Sequence, residues 1–159
     1  MATEALGLPF EATSVAAWLV WILPFAAALI MPAVGKASKN LTGYVAVGFA
    51  LMSALSAASL FSVALEATEI HHQINWIESI GLKGGVLADP LSVIMANVVG
   101  WISFLIMIYS TGYMKGDKDI TRFWFWMMFF IGSMQLIVLS DNLLQVFFGW
   151  EGVGLASYA

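Results

Sequence analysis

The chain has 159 residues, of which 61% are hydrophobic and 10% charged, with seven Trp and eleven Phe. This is far more apolar than the roughly half expected of a soluble domain, so an integral membrane protein is predicted. A net charge of −4 offers no basic field for nucleic acid, and the absence of Cys excludes a disulfide framework, a cysteine zinc site and an iron–sulfur cluster within these residues.

A membrane-crossing helix needs about 20 mostly apolar residues. Polar punctuation cuts the sequence into five such pieces, so the predicted fold class is all-α, a polytopic transmembrane helix bundle forming a single domain over residues 1–159. The N-terminal stretch MATEALGLPFEATS carries Glu4 and Glu11 and no Lys or Arg. A cleaved secretory signal starts with positive charge, so the first apolar segment is read as retained. That segment runs from about Ser14 to Val34, with Pro24 expected to kink it, and GKASKN at 35–40 ends it. Thr42 is the expected N-cap of a second span reaching Leu65, along which Ala50, Ala54 and Ala58 repeat every four residues as helix-contact faces in membranes do.

From Glu66 to Asp89 the sequence turns polar, and Gly81, Gly84 and Gly85 break any helix, which predicts a surface excursion of hairpin type. Asp89-Pro90 reads as an N-cap followed by proline at the first helical position, opening a third span through Tyr109. A charged loop, STGYMKGDKDIT, leads to a fourth span over 122–139. Ser140-Asp141-Asn142 is a tight break in which Asp141 is the expected N-cap, and the fifth span covers 142–159. Lys36, Lys39, Lys115, Lys118 and Arg122 fall on one side of this layout and only Lys83 on the other. The positive-inside rule then predicts an outside N-terminus. The sequon Asn40-Leu41-Thr42 falls on the cytoplasmic side and is discounted.

The residue that needs explaining is Glu151, in LLQVFFGWEGVGLASYA at the end of the chain. Counting about 1.5 Å per residue from Asn142 puts it about 14 Å deep, near the middle of a core about 30 Å thick. A carboxylate at that depth costs at least a few kcal/mol unless it faces a cavity or a partner. No Lys, Arg or His lies at depth in the five predicted spans. Either the carboxyl is neutral at rest because desolvation disfavours its charged form, or a cation reaches it from another helix or subunit. Both states make it a titratable group inside the bilayer, which is what a proton path requires. The alternative is a neutral Glu that hydrogen-bonds a backbone carbonyl and holds helices together. Gly149 and Gly152 flank it and permit close approach of a helix or of water, while the adjacent Trp150 is bulky. GWEGVG has the wrong glycine spacing for a nucleotide fingerprint.

Asn97, Gln135 and Gln145 could line a hydrated path, with interhelical hydrogen bonding as the plainer reading. His71-His72 points its rings in opposite directions and has no ligand set around it, so a solvated pair is expected and no metal.

Four stretches resemble a known family: ADPLS at 88–92, YSTGYM at 109–114, RFWFW at 122–126 and DNLLQVFFGWEGVGLASY at 141–158. They are similar to the N-terminal part of the antiporter-like chain 5, or L subunit, of respiratory complex I, NADH-quinone oxidoreductase, a family related to the large subunit of Mrp sodium/proton antiporters. The resemblance implies that Glu151 belongs to a proton channel and pairs with a lysine on a later helix. It also implies an outward hairpin between the second and third spans and no cofactor in this chain. FMN, iron–sulfur clusters and quinone are expected in other subunits, and the other membrane subunits, lipid and the proton are the expected partners. Family members continue for several hundred residues, so the chain is expected to be a fragment of a longer subunit. The site expectation is Glu151 for proton transfer, supported by Gly149, Trp150 and Gly152, in a prokaryotic plasma membrane or mitochondrial inner membrane. An Mrp-type antiporter subunit and a non-transporting structural subunit are the alternatives. No residue here could carry hydride or electron transfer.

Overall fold

A computed structural model describes residues 12–77 and 81–159. Its elements follow the predicted layout: helices α1 (Ala12–Ala37), α2 (Lys39–Ser59) and α3 (Phe61–Leu65), strands β1 (Ile70–Ile77) and β2 (Leu82–Ala88), then helices α4 (Pro90–Tyr113), α5 (Ile120–Leu139) and α6 (Leu143–Tyr158). Among the described residues, four helical stretches, Ala12–Ala37, Lys39–Leu65, Pro90–Tyr113 and Ile120–Leu139, are long and apolar enough to cross a membrane. The bundle is all-α apart from its hairpin. α6 has 16 residues, shorter than the about 20 of a full crossing.

α1 runs through both Pro24 and Pro32. Proline has no N–H to give to the carbonyl four residues earlier, and for Pro24 that acceptor is Val20 O. Ser53 Oγ of α2 donates to Val20 O at 2.6 Å in the buried interior. A neighbouring hydroxyl thus replaces the missing bond, the usual way a membrane helix tolerates proline.

The second span is not continuous. It breaks at Leu60, whose N–H bonds back to Ala57 O, and Asn97 Nδ2 from α4 donates to the same carbonyl at 2.9 Å. The expected cap at Thr42 is also corrected. α2 starts at Lys39, and Thr42 Oγ1 donates to Lys39 O inside the first turn. Ala46, Ala50, Ala54 and Ala57 form the buried stripe of α2. Gly100 of α4 crosses this stripe so closely that an added Cβ would stand 3.2 Å from the Cα of Ala54. Small residues here allow backbones to touch, as they do at membrane helix contacts generally.

The predicted excursion is an antiparallel hairpin pairing Ile70 with Ala88 and Gln73 with Gly85, with a bulge between Asn75 and Ile77. Gly81 leads into β2 with φ of 66°, a conformation open to glycine. Asp89 caps α4 as predicted, its Oδ1 accepting from Ser92 N at 2.7 Å with Pro90 at the helix start. The Ser92 hydroxyl and N–H together hold the Asp89 carboxyl below the ordinary 3.8.

Candidate functional site

α6 is seated by polar contacts at its start and by glycines along one side. The helix is capped by Asn142 rather than by the predicted Asp141. Asn142 Oδ1 accepts from Gln145 N at 3.0 Å, and its Nδ2 reaches Lys83 O of the hairpin at 3.1 Å. Asp141 turns to the hairpin instead. Its Oδ2 accepts from Gln73 Nε2 at 2.7 Å and faces His71 Nε2 at 3.3 Å. Gln145 Oε1 accepts from Gly85 N at 2.9 Å. A side chain on Gly85 would run into the Asp141 carboxylate, so the glycine is what lets the hairpin and the α6 start meet.

Further along, α6 leans on α5. A Cβ on Gly149 would stand 2.6 Å from Ile137 Cγ1 and 2.9 Å from Ser133 O, and one on Gly152 would meet the Ser133 hydroxyl. Gln145, Gly149 and Gly152 are the buried residues of the helix. Their spacing of four and three residues defines one face, and Glu151 lies on the other. Glu151 is exposed, beside Trp150 at 69% and Leu155 at 52% exposure. Among the described residues no cation stands within ion-pair distance of it. The expected site residues are therefore sorted by the structure. Gly149 and Gly152 make a helix contact, whereas Glu151 and Trp150 both stand exposed.

The other polar candidates are bonded to backbone. Asn97 Nδ2 joins α4 to α2, Gln135 Nε2 donates to Ala96 O of α4 at 3.0 Å, and Gln145 ties α6 to the hairpin. The plainer reading, a hydrogen bond between helices, therefore holds for Asn97 and Gln135, whereas Gln145 bonds a hairpin strand instead of a helix. The histidines diverge as expected of neighbours on a strand, but each is tied down: His71 faces Asp141, and His72 Nδ1 accepts from Trp18 Nε1 at 3.1 Å. No group of three potential metal ligands occurs among the described residues.

Comparison with known proteins agrees with the architecture. The sequence profile described as "NADH-Ubiquinone oxidoreductase (complex I), chain 5 N-terminus" matches residues 74–124, from the first hairpin strand into α5. Similar over most of this chain is NADH-quinone oxidoreductase subunit L of Rickettsia bellii, 41% identical over 145 residues, which are 88% of this chain and 23% of that protein. The chain is a relative of complex I chain 5, over that protein's N-terminal part. Chain 5 of NADH-ubiquinone oxidoreductase from Dictyostelium citrinum is 37% identical, covering 82% of this chain and 21% of its own length. Subunit L of Pseudomonas aeruginosa is 40% identical, covering 78% and 21%. The chain thus spans about a fifth of the chain 5 relatives it matches. It shares with that family an integral membrane character, read directly from its apolar helices.

Sequence reasoning missed two features. Gln73 and Asn142 bind the hairpin to α6, and their partners lie 68 and 59 residues away, a pairing no local pattern announces. The second is a buried donor, the indole N–H of Trp124, which has no partner among the described residues. Trp at a predicted helix mouth signals an interface anchor but not an unmet hydrogen bond.

Proposed function

We propose that the chain supplies a proton-transfer carboxyl, Glu151, to a membrane assembly of the NADH-quinone oxidoreductase kind. The observation that supports this reading best is the one-sided seating of α6. One face is locked to α5 and the hairpin, and the opposite face presents an unpaired carboxyl among large apolar side chains. In a membrane a bare carboxylate on such a face is too costly to persist, so the group is neutral or is met by a partner's cation. Glu151 takes up a proton in one state of the assembly and releases it in another. A change in the assembly drives this only if its two states interact differently with the carboxyl. Electron transfer, with its flavin, iron–sulfur clusters and quinone, belongs to other subunits on this reading. The N-terminus lies outside, because the basic residues of both short loops gather at one end, where Lys39 Nζ bonds Lys118 O.

The test is Glu151→Gln in the complete assembly in sealed vesicles, with proton uptake and electron transfer followed together. Gln keeps shape and hydrogen bonding but cannot titrate. The expected result is loss of proton uptake with the assembly intact, and partial uptake with Glu151→Asp. Uptake at the wild-type rate in the Gln variant would sink the proposal and leave a packing role. Uptake that requires a sodium gradient rather than electron transfer would favour an antiporter.

A further inference from the structure

The start of α6 is fastened to both strands of the hairpin. Ser140 bridges to Val86 of β2, Gln145 Oε1 accepts from Gly85 N, and Asn142 Nδ2 donates to Lys83 O. From β1, Gln73 Nε2 donates to Asp141 Oδ2 at 2.7 Å, and His71 Nε2 lies 3.3 Å from the same oxygen. The other carboxylate oxygen, Oδ1, accepts from Asn142 Nδ2 at 2.7 Å. The partners of the His71–Asp141 pair are placed very differently, the carboxylate side chain being 1% exposed and the imidazole 48%.

A carboxylate removed from water is costly unless a cation or hydrogen-bond donors meet it. Here the donors are neutral amides, and His71 is the group among the described residues within ion-pair distance of Asp141 that can become positive. Histidine changes charge between pH 5 and 8, and the half-exposed ring takes up a proton without the hairpin having to open. Other charges do not substitute for it. Glu69 and Asp89 flank the Ile70–Ala88 pair at the hairpin base, and their sign favours a cation on His71. Lys83 opposes it from farther along, where it pairs with Asn75. Within their described residues α1, α4 and α5 bring no charged side chain to this end, since Lys36 and Arg122 lie at the other. α1 offers the Trp18 indole, which donates to His72.

We propose that His71 and Asp141 form a proton-operated latch: a proton on His71 turns a neutral contact into an ion pair with a buried carboxylate and tightens the hairpin on the start of α6. When the proton leaves, the amide bonds alone hold the hairpin and the contact loosens. A pair with one partner buried is screened less by water and salt than a pair on the surface, so the added charge is felt. Because α6 begins at Leu143, directly after Asp141 and its cap Asn142, the latch sets how firmly the helix that carries Glu151 is seated. It does not rest on Glu151 carrying a proton. On the orientation proposed above, it reads the pH of the outer aqueous phase.

The test is amide hydrogen exchange, read by mass spectrometry on the full-length chain in its assembly in lipid nanodiscs. It is run at about pH 5 and about pH 8, the span over which histidine changes charge, with each rate divided by the intrinsic rate at that pH. Hairpin peptides are compared with the interior of α4 as reference. Hairpin protection should be about fivefold higher in acid, as a charged hydrogen bond replaces a neutral one. His71→Gln keeps a donor at this half-exposed position but cannot charge, and should abolish the pH response. His71→Arg should hold the hairpin tight at both pH values. His72→Gln should leave the response in place. The proposal is overturned if wild-type protection is equal at the two pH values or falls in acid, if His71→Gln keeps the response, or if His72→Gln removes it.

Discussion

α5 and α6 are joined by Ser140, Asp141 and Asn142 and are both strongly apolar, yet they are buried in different ways. α5 is held from several sides, and its buried residues range from Trp124 and Met128 to Ser133 and Gln135. In α6 the buried residues are Gln145, Gly149 and Gly152, while Leu143 at 86%, Trp150 at 69% and Phe147 at 54% stand exposed. In water this would be an inverted helix. In a bilayer, lipid tails are as apolar as leucine, so burial among protein selects small residues and hydrogen-bonding groups instead of large apolar ones. Hydropathy therefore finds both helices but says nothing about which side of each faces protein. The glycines and the glutamine say it for α6, and they leave Glu151 on the exposed side among the described residues.

The comparison is broken most strongly at the α5–α6 contact. Gly149→Leu places atoms against Ser133 O and Ile137 N, backbone that cannot step aside. A loss of about 3 kcal/mol, at the upper end for overpacking, is expected in the midpoint of unfolding in detergent. Gly154 has nothing within 4 Å of an added Cβ, so Gly154→Ala should stabilise α6 by up to about 1 kcal/mol through helix propensity alone. Equal effects at the two glycines would mean that α6 does not sit on α5 by this face.

Next in size are the substitutions that strand a buried backbone group. Ser53→Ala removes the donor to Val20 O, already deprived of its helix partner by Pro24, and should cost about 1–3 kcal/mol. Adding Pro24→Ala, which returns the N–H, should recover most of that loss, and a simple sum of the two effects would refute the link. Gln145→Leu leaves Gly85 N without its acceptor. A similar cost is expected, together with faster amide exchange at the hairpin.

The smallest effect lies at the start of α4. Because the folded Asp89 carboxyl is held below the ordinary 3.8, its contribution is fully present above that pH. It disappears as pH falls through the lower folded value. Asp89→Ala should cost about 1 kcal/mol at neutral pH, and the gap from wild type should close in acid. A gap that stays constant to low pH would show that the carboxylate is not what caps the helix.

How much of this is legible in the sequence depends on the range of the signal. Span positions, the hairpin and the Asp89-Pro90 start are local matters of apolar run length, glycine clusters and cap chemistry, and the structure follows them closely. Asp141 and Asn142 both have the chemistry of a cap, and only the hairpin's Gln73 and Lys83 decide between them, because each side chain takes the partner within its reach. The break at Leu60 is equally hidden, since nothing near it in sequence reveals that Asn97 reaches the Ala57 carbonyl.

The amino-acid sequence by itself determined that this is a membrane helix bundle with a polar hairpin, and it singled out Glu151 as the carboxylate within its apolar segments. It could do so because bilayer thickness and the cost of buried charge act on each segment separately. Only the tertiary structure decided that Glu151 faces away from α5, that Ser53 replaces the bond lost to Pro24, and that the Trp124 N–H is buried with no partner among the described residues. Those outcomes depend on which helices become neighbours and by which faces, a property of the packed bundle and not of any single segment.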